Sequence, residues 1–390
     1  MPNYASKTSN TTRKSYSYSR HDGPLNGLAK QFIEQINKGT KYSQIQRSIC
    51  DYLEEQNLEL AEILERIENG YRGHEYRKQF RVLNGFFHEK FRECYDPRKA
   101  FAEYKAAAET NYSYGYLFVG ICYENGSGVR KNPKRAFEYY QKSVEYSTDN
   151  NFACGQYRLA RCYERGVGTP VDIKLAFHWF KKAIIAGNLG ALNNIGCWYE
   201  KGEYVKKDLS EAYKHYYQAA KEGLPCAQFN TAEFLRRGCG TKKDDARAFH
   251  WYQKAAANGE SGAQFWLAQY YRKEGANQSN RLALKWYLEA AKAIEVTDEI
   301  IQTYYNLALI YDYGQLGTVR DNKKAFEWYQ KASDAGVDEA TKRLAECYRH
   351  GLGTEIDLDK ANKLAVIGKE SDTNNDRKSL SFSLSPSKIL

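Results

Sequence analysis

The chain repeats itself with a period near 36 residues, and that period decides the fold before any single motif does. An alanine recurs at Ala100, Ala136, Ala176, Ala212, Ala248, Ala283, Ala325 and Ala361, at intervals of 35 to 42 residues. Upstream of each stands an aromatic residue or leucine: Phe87, Tyr123, Tyr163, Tyr199, Leu235, Tyr271, Tyr311 and Tyr348. Small or apolar residues precede it by eight, four and three positions, as Ala191, Ile195 and Gly196 precede Tyr199. An aromatic pair follows the alanine, as in Trp179-Phe180, Trp251-Tyr252, Trp286-Tyr287 and Trp328-Tyr329. Spacings of three and four put each set on one helical face, so each copy reads as two helices. Eight copies occupy residues 76–370.

The joints are legible too. Gly-x-Gly stands between the helices at Gly126/Gly128, Gly166/Gly168, Gly238/Gly240 and Gly351/Gly353. The first glycine suits the left-handed residue that ends a helix, and the second lets the chain reverse tightly. Four residues before each alanine is a helix-capping side chain: Asp96, Asn132, Asp172, Asp208, Asp244, Ser279, Asp321 and Asp357. Each accepts a bond from a free backbone N–H of the first turn, worth about 1 kcal/mol. No copy can bury its apolar stripe alone, so the copies must stack. The expectation is an all-α, right-handed α/α solenoid, in which most of the 33 tyrosines and 29 glycines are one repeat counted eight times.

The pattern A-x3-LG-x2-Y-x2-G-x-G-x3-D-x3-A-x2-WY-x-KAA-x2-G, fullest from Gly155 to Gly187, resembles the Sel1-like repeat family, relatives of the tetratricopeptide repeat. Three copies depart from it: Lys90 and Arg92 replace the glycines of the first, Glu203-Tyr204 follows Gly202 in the fourth, and Leu364-Ala365 replaces the aromatic pair of the last. The resemblance implies a non-enzymatic adaptor or scaffold, and a groove lined by the first helices. It places groove positions six and two before the tyrosine and one and two after it. Tyr157, Asn193, Phe229, Phe265 and Tyr305 stand at the first of these. One residue after the tyrosine the charge runs Glu124, Glu164, Glu200, then Arg236, Arg272 and Arg349, with Asp312 interrupting. Large aromatics on a polar face suit interface anchors, and charges beside them set orientation. The candidate partner-binding residues are therefore Tyr157, Asn193, Glu200, Phe229, Arg236, Phe265, Arg272 and Tyr305, for a peptide or helix of a protein partner. The competing reading is that the aromatics pack between repeats and the charges are merely solvated.

Outside the repeats, residues 1–22 read as a disordered basic tail and residues 371–390 as a disordered serine-rich one. Residues 23–75 read as a helical cap, with Leu25, Leu28, Ala29, Phe32, Ile33 and Ile36 at helical spacing, packed on the first repeat and covering its open end. The polar start predicts no secretory leader. Nine cysteines without a CxxC pair point to a reducing, cytoplasmic setting, and Cys122, Cys162 and Cys347, at one register, read as small buried residues.

No phosphate loop, nucleophile elbow or zinc spacing is present, so no catalytic residue, metal or cofactor is assigned. The net charge of +10 raises a nucleic-acid partner held by basic inter-helix turns such as Arg130–Arg135, Lys206-Lys207 and Lys242-Lys243. Acidic residues alternate with these, which makes it the weaker reading. A third is a regulatory subunit of a kinase or cell-wall synthase. Some fungal chitin-synthase activators of the family end in a prenylation sequence, whereas this chain ends Ser-Lys-Ile-Leu.

Overall fold

Every second helix begins at its expected cap. The computed structural model describes residues 23–40, 42–70, 77–147, 152–273, 278–293 and 296–374; the expected tails lie outside these, apart from 371–374. Three N-terminal helices come first, α1 (Gly23–Lys38), α2 (Tyr42–Glu55) and α3 (Leu60–Gly70). The first helices of the eight copies are α4 (Arg77–Lys90), α6 (Ser113–Asn125), α8 (Ala153–Arg165), α10 (Leu189–Lys201), α12 (Pro225–Arg237), α14 (Ser261–Arg272), α16 (Asp298–Tyr313) and α18 (Asp338–His350). Their second helices are α5 (Pro97–Ala108), α7 (Pro133–Glu145), α9 (Ile173–Ile185), α11 (Leu209–Lys221), α13 (Asp245–Ala257), α15 (Asn280–Ala290), α17 (Asn322–Asp334) and α19 (Leu358–Asn374). No strand occurs among the described residues, and no helix there is long and apolar enough to cross a membrane. The last helix reaches Asn374, four residues into the stretch read as a tail.

All eight caps accept a first-turn N–H: Asp96 from Lys99, Asn132 from Arg135, Asp172 from Leu175, Asp208 from Glu211, Asp244 from Arg247, Ser279 from Leu282, Asp321 from Lys324 and Asp357 from Lys360. Each cap's own N–H donates back to the first helix, for instance Asn132 to the Tyr123 carbonyl and Asp172 to that of Tyr163. One stroke of local chemistry thus starts the second helix and fixes its distance from the first. In the first copy the acceptor is the carbonyl of His88, not of Phe87. The register read at Phe87 is one residue early, because a 3-10 turn, Arg92–Cys94, replaces the glycine joint and shortens it.

The second glycine of Gly-x-Gly has a reason beyond the turn. Gly168 has φ +71, and a Cβ there would stand 2.2 Å from the carbonyl oxygen of Pro133, at the start of the preceding copy's second helix. Gly128, Gly240 and Gly353 meet the carbonyls of Pro97, Leu209 and Asn322 at 1.9, 2.0 and 2.1 Å. That glycine is a contact between repeats as much as a bend.

The chain divides into two compact units, Met1–Leu192 and Asn193–Leu390. In the first, one core runs from Leu25, Phe32 and Ile45 through Phe86 and Phe118 to Cys162. Here the N-terminal helices do more than cover the open end of the first repeat, since α1 packs against both α4 and α8. In the second unit the core passes from helix pair to helix pair, with Ala212, Tyr216 and Phe234 in one cluster and Ala325, Tyr329 and Leu344 in another. Cys122, Cys162 and Cys347 are buried as expected, and so is Cys154, whereas Cys50 is exposed and Cys94, Cys197, Cys226 and Cys239 are half-buried. Burial holds the thiols of Cys154 and Cys347 at about 11 and that of Cys162 at about 12, which keeps them protonated at neutral pH.

Two predictions follow from the joints. Gly168→Ala should destabilise by about 3 kcal/mol or more, since steric overlap adds to the left-handed backbone. Gly187→Ala, at φ +88 with nothing within 4 Å of its Cβ, should cost only about 1 kcal/mol; equal urea midpoints would remove the inter-repeat role. Backbone N–H donors hold the Asp96, Asp321 and Asp357 carboxyls below their ordinary 3.8. Their stabilisation is therefore complete above pH 3.8 and is lost as pH falls through the lower folded values. Replacing all three by asparagine, which caps at Asn132, should flatten the fall in melting temperature between pH 4 and about pH 2. An unchanged slope would assign that acid sensitivity elsewhere.

Candidate functional site

The candidate face is built outward from a tyrosine inside each repeat. Four residues after the repeat alanine stand Tyr104, Tyr140, Tyr216, Tyr252, Tyr287 and Tyr329, all essentially without exposure. The rings of Tyr104, Tyr140 and Tyr216 cross a glycine three residues before the first-helix residue whose carbonyl accepts the cap's N–H. A Cβ on Gly85, Gly120 or Gly196 would come within 2.4, 2.6 or 2.8 Å of the rings of Tyr104, Tyr140 and Tyr216. Burial this deep favours an acceptor for the hydroxyl, which five of the six have and Tyr287 lacks among the described residues. The acceptor is a carboxylate on the first helix: Tyr104 donates to Glu89 at 2.9 Å, Tyr140 to Glu124, Tyr216 to Glu200 at 2.6 Å, and Tyr329 to Asp312 at 2.9 Å.

The acidic members of the charged row, Glu124, Glu200 and Asp312, therefore have a structural cause. In the fifth copy the position after Leu235 is Arg236, and the acceptor moves to Glu233, one turn earlier. Arg236 Nε then donates to both the Tyr252 hydroxyl and Glu233, each at 3.2 Å. Burial alone would raise the Glu233 carboxyl, but the bonds from Arg236 and Tyr252 outweigh it and hold it below the usual range. In the sixth copy burial pushes the Tyr287 phenol up to about 12, with the adjacent Arg272 guanidinium opposing. Arg272 Nη1 reaches Asn306 Oδ1 at 3.4 Å. In the third copy Phe180 replaces the tyrosine, and Glu164 lies instead beside Arg161 and Arg165. Glu200, Arg236 and Arg272 are thus fixed groups tied to the interior, not freely solvated charges.

The aromatic row rests on the same residues. Tyr157 packs on Phe180 with ring centroids 5.9 Å apart, Phe229 on Tyr252 at 5.9 Å, Phe265 on Tyr287 at 6.2 Å and Tyr305 on Tyr329 at 6.3 Å. Asn193, at this position in the fourth copy, accepts from Asn230 Nδ2 at 2.9 Å. All eight candidate residues are half-buried, with one side on the core and one toward solvent. They divide between the units: Tyr157 belongs to the first, where Arg161 Nη1 donates to its hydroxyl at 3.0 Å, and the other seven belong to the second.

Two groups that the sequence reading passed over belong beside this face. Trp266 stacks on Tyr252 with centroids 3.8 Å apart and planes 11° from parallel, so an indole joins Phe229 and Phe265. In the first unit the equivalent face is covered by α1 and α2, as Phe32 and Tyr42 pack on Phe86 and Phe118. The signal was in α6, whose sequence SYGYLFVGICYEN has no polar stripe; Ser113 to Gly115 and Leu117 to Tyr123 are all buried. A helix apolar all round is covered on every side. The basic turns are partly engaged: Arg135 donates to the Tyr123 hydroxyl at 3.0 Å, and Lys243 pairs with Asp245 at 3.3 Å.

The Sel1 repeat family profile matches residues 113–145, 155–188, 190–224, 227–260, 261–293, 301–337 and 338–365, seven copies covering more than half of the chain. The α4–α5 pair lies outside these matches but repeats their cap, small-residue contact and tyrosine–carboxylate bond. A crystal structure of a Sel1 repeat protein from Oxalobacter formigenes is 29% identical, with a TM-score of 0.55 over 65% of this chain and 99% of that one. A protective antigen of uropathogenic Escherichia coli with an SLR fold is 20% identical, with a TM-score of 0.40 over 89% of this chain and 88% of its own. The mouse DAP3-binding cell death enhancer 1 is 34% identical over 79 residues, 19% of this chain but only 16% of that protein's length.

Substitution at Tyr216 separates packing from hydrogen bonding. Tyr216→Phe should cost about 1 kcal/mol, for one lost hydroxyl bond at a position where Phe180 is natural. Tyr216→Ala should cost about 3–5 kcal/mol. A wild-type melt for Tyr216→Phe would show that the bond to Glu200 contributes nothing.

Proposed function

The chain belongs to the Sel1 repeat family, and from that premise we propose that it is a non-enzymatic adaptor that grips a peptide or helix of a protein partner on the first-helix face of its second unit. Sel1 repeat proteins are generally protein-interaction scaffolds. The observation that carries the reading for this chain is the seating of the half-buried Phe229, Phe265 and Tyr305 on buried tyrosines. Phe229 and Phe265 pack on the fully buried rings of Tyr252 and Tyr287, so they lose little side-chain freedom when a partner covers them. Trp266 adds indole area where aromatic hot spots form. Glu200, Arg236 and Arg272 are pinned by the hydroxyl chemistry beneath, so they offer fixed donors and acceptors around the apolar anchors. Tyr305 extends the face into the seventh copy, and Asn193 gives it a polar end in the fourth.

The test uses a photo-crosslinking phenylalanine in place of Phe265 and, separately, of His250 on α13, in the native cell. Adducts should form from position 265 and not from 250. Phe229→Asn with Phe265→Asn, the residue that the fourth copy carries at this position, should weaken capture by about tenfold or more with the melt within a few degrees of wild type. Adducts from 250 alone, or capture that falls only in step with the melt, would overturn the proposal.

A further inference from the structure

One flank of helix α1 lies in a groove of the first unit, while on the other Gln31 and Gln35 donate to Ser48 of α2 and Tyr52 of α2 donates to the Pro24 carbonyl. The buried side chains of α1, Leu25, Leu28, Ala29, Phe32 and Ile36, fall at i, i+3, i+4, i+7 and i+11, the anchor spacing of helix-in-groove recognition. Lys30, Glu34 and Lys38 are exposed. Phe32 is the central anchor, with its ring 4.9 Å from Phe86 and 6.1 Å from Phe118. The end of the helix is recognised as well as its side. Asn188 Nδ2 donates to the Asn37 carbonyl at 3.0 Å, and Asn37 Nδ2 donates to the Tyr114 hydroxyl at 2.7 Å. The chain then turns at Gly39, left-handed at φ +76, whose Cβ position lies 3.2 Å from the Asn188 amide. Tyr42 follows, with Lys90 over its ring and Arg158 reaching its hydroxyl at 3.4 Å.

Asn188 shows that this is a built receptor. The residue that precedes a first helix is buried and aromatic or aliphatic at Tyr112, Phe152, Leu224 and Val337, and polar but not buried at Glu260 and Thr297. In the fourth copy it is an asparagine with no exposure at all. Its Oδ1 accepts the N–H of Ala191, and its Nδ2 is spent on the carbonyl end of α1. The Oδ1 bond caps α10 within the repeat, whereas the Nδ2 bond meets a need from outside it, the free carbonyl end of a helix that stops at that point. An apolar slot with a polar stop is what a groove for a short amphipathic helix needs.

We propose that α4, α6, α8 and Asn188 form a helix-binding groove whose resident occupant is the chain's own α1, and that an amphipathic helix of the same anchor spacing, presented in trans, displaces it. This is independent of the second unit's face. A resident occupant must leave without global unfolding. In the full unaltered chain, amide hydrogens of α1 should exchange at least about tenfold faster than those of α6 and α8. The probe for the groove is a fluorescent synthetic peptide of residues 23–40. It should bind the Phe32→Ala full chain about tenfold or more tighter than the unaltered chain, because the resident helix is weakened and the peptide is not. Adding Asn188→Leu, close to what other copies carry, should lower that binding by about tenfold. A peptide with glutamate in place of Phe32 should not bind. Dimers of the Phe32→Ala chain that the peptide dissolves would identify the displacing helix as that of a second copy. Exchange of α1 at the rate of α6 and α8, absence of peptide binding to Phe32→Ala, or indifference to Asn188→Leu would each overturn the proposal and make α1 part of the core.

Discussion

A phenol buried between two helices, with its hydroxyl on a carboxylate, is the interaction on which the repeat depends. Tyr104, Tyr140, Tyr216, Tyr252 and Tyr329 each fill the space between first and second helix, and each finds Glu or Asp on the first. The ring demands a small residue opposite, which is why Gly85, Gly120 and Gly196 stand where they do. The hydroxyl favours an acceptor, since a phenol without one at that depth would cost more than the bond yields. These two requirements fix a small residue, a carboxylate and an aromatic residue at set spacings across some twenty residues of chain. The recurring pattern is the trace of that one constraint, with capping and glycine joints holding the helices at the distance it needs.

The same constraint supplies the surface. A charged row one residue after the first-helix tyrosine reads as a specificity device when only the sequence is considered. In the fold it first satisfies the interior: Glu200 is an acceptor for Tyr216, and Arg236 bridges Tyr252 and Glu233. Structure and recognition need not compete here. A side chain pinned from below presents its remaining lone pairs and donors at a fixed place. Of the two readings of the aromatic row, packing is met, since Phe229 and Phe265 pack on Tyr252 and Tyr287, and their half-burial leaves a face toward solvent for the binding proposed above.

How much was legible follows from the range of each interaction. The caps are local, and all eight, from Asp96 to Asp357, could be read from a four-residue spacing. The glycine joints were legible as turns, but not as contacts, because the carbonyl that Gly168 meets belongs to Pro133 in the preceding copy. The first copy was misread by one residue because two aromatics, Phe86 and Phe87, precede His88, and the glycines that would have fixed the register are absent. The face of the second unit was legible as a row of positions. What holds its charges in place was not, because a hydroxyl and its acceptor lie about 16 residues apart and exchange between Glu200-like and Glu233-like positions.

Long-range occupancy was the least legible, yet it left two marks. One is α6, where Leu117, Phe118, Val119 and Ile121 leave no polar side for water. The other is Asn188, a fully buried amide at a position where four other copies bury tyrosine, phenylalanine, leucine or valine and the polar Glu260 and Thr297 are not buried. Each departs from the repeat in a direction that costs stability unless something outside the repeat compensates, the first by apolar exposure and the second by burying an amide. Helix α1 compensates both at once, covering α6 with Phe32 and giving Asn188 the carbonyl of Asn37. In a repeat protein the consensus describes what one copy needs from its neighbours. Departures of this kind describe what the array needs from everything else, and that is where its ligands, internal or external, are written.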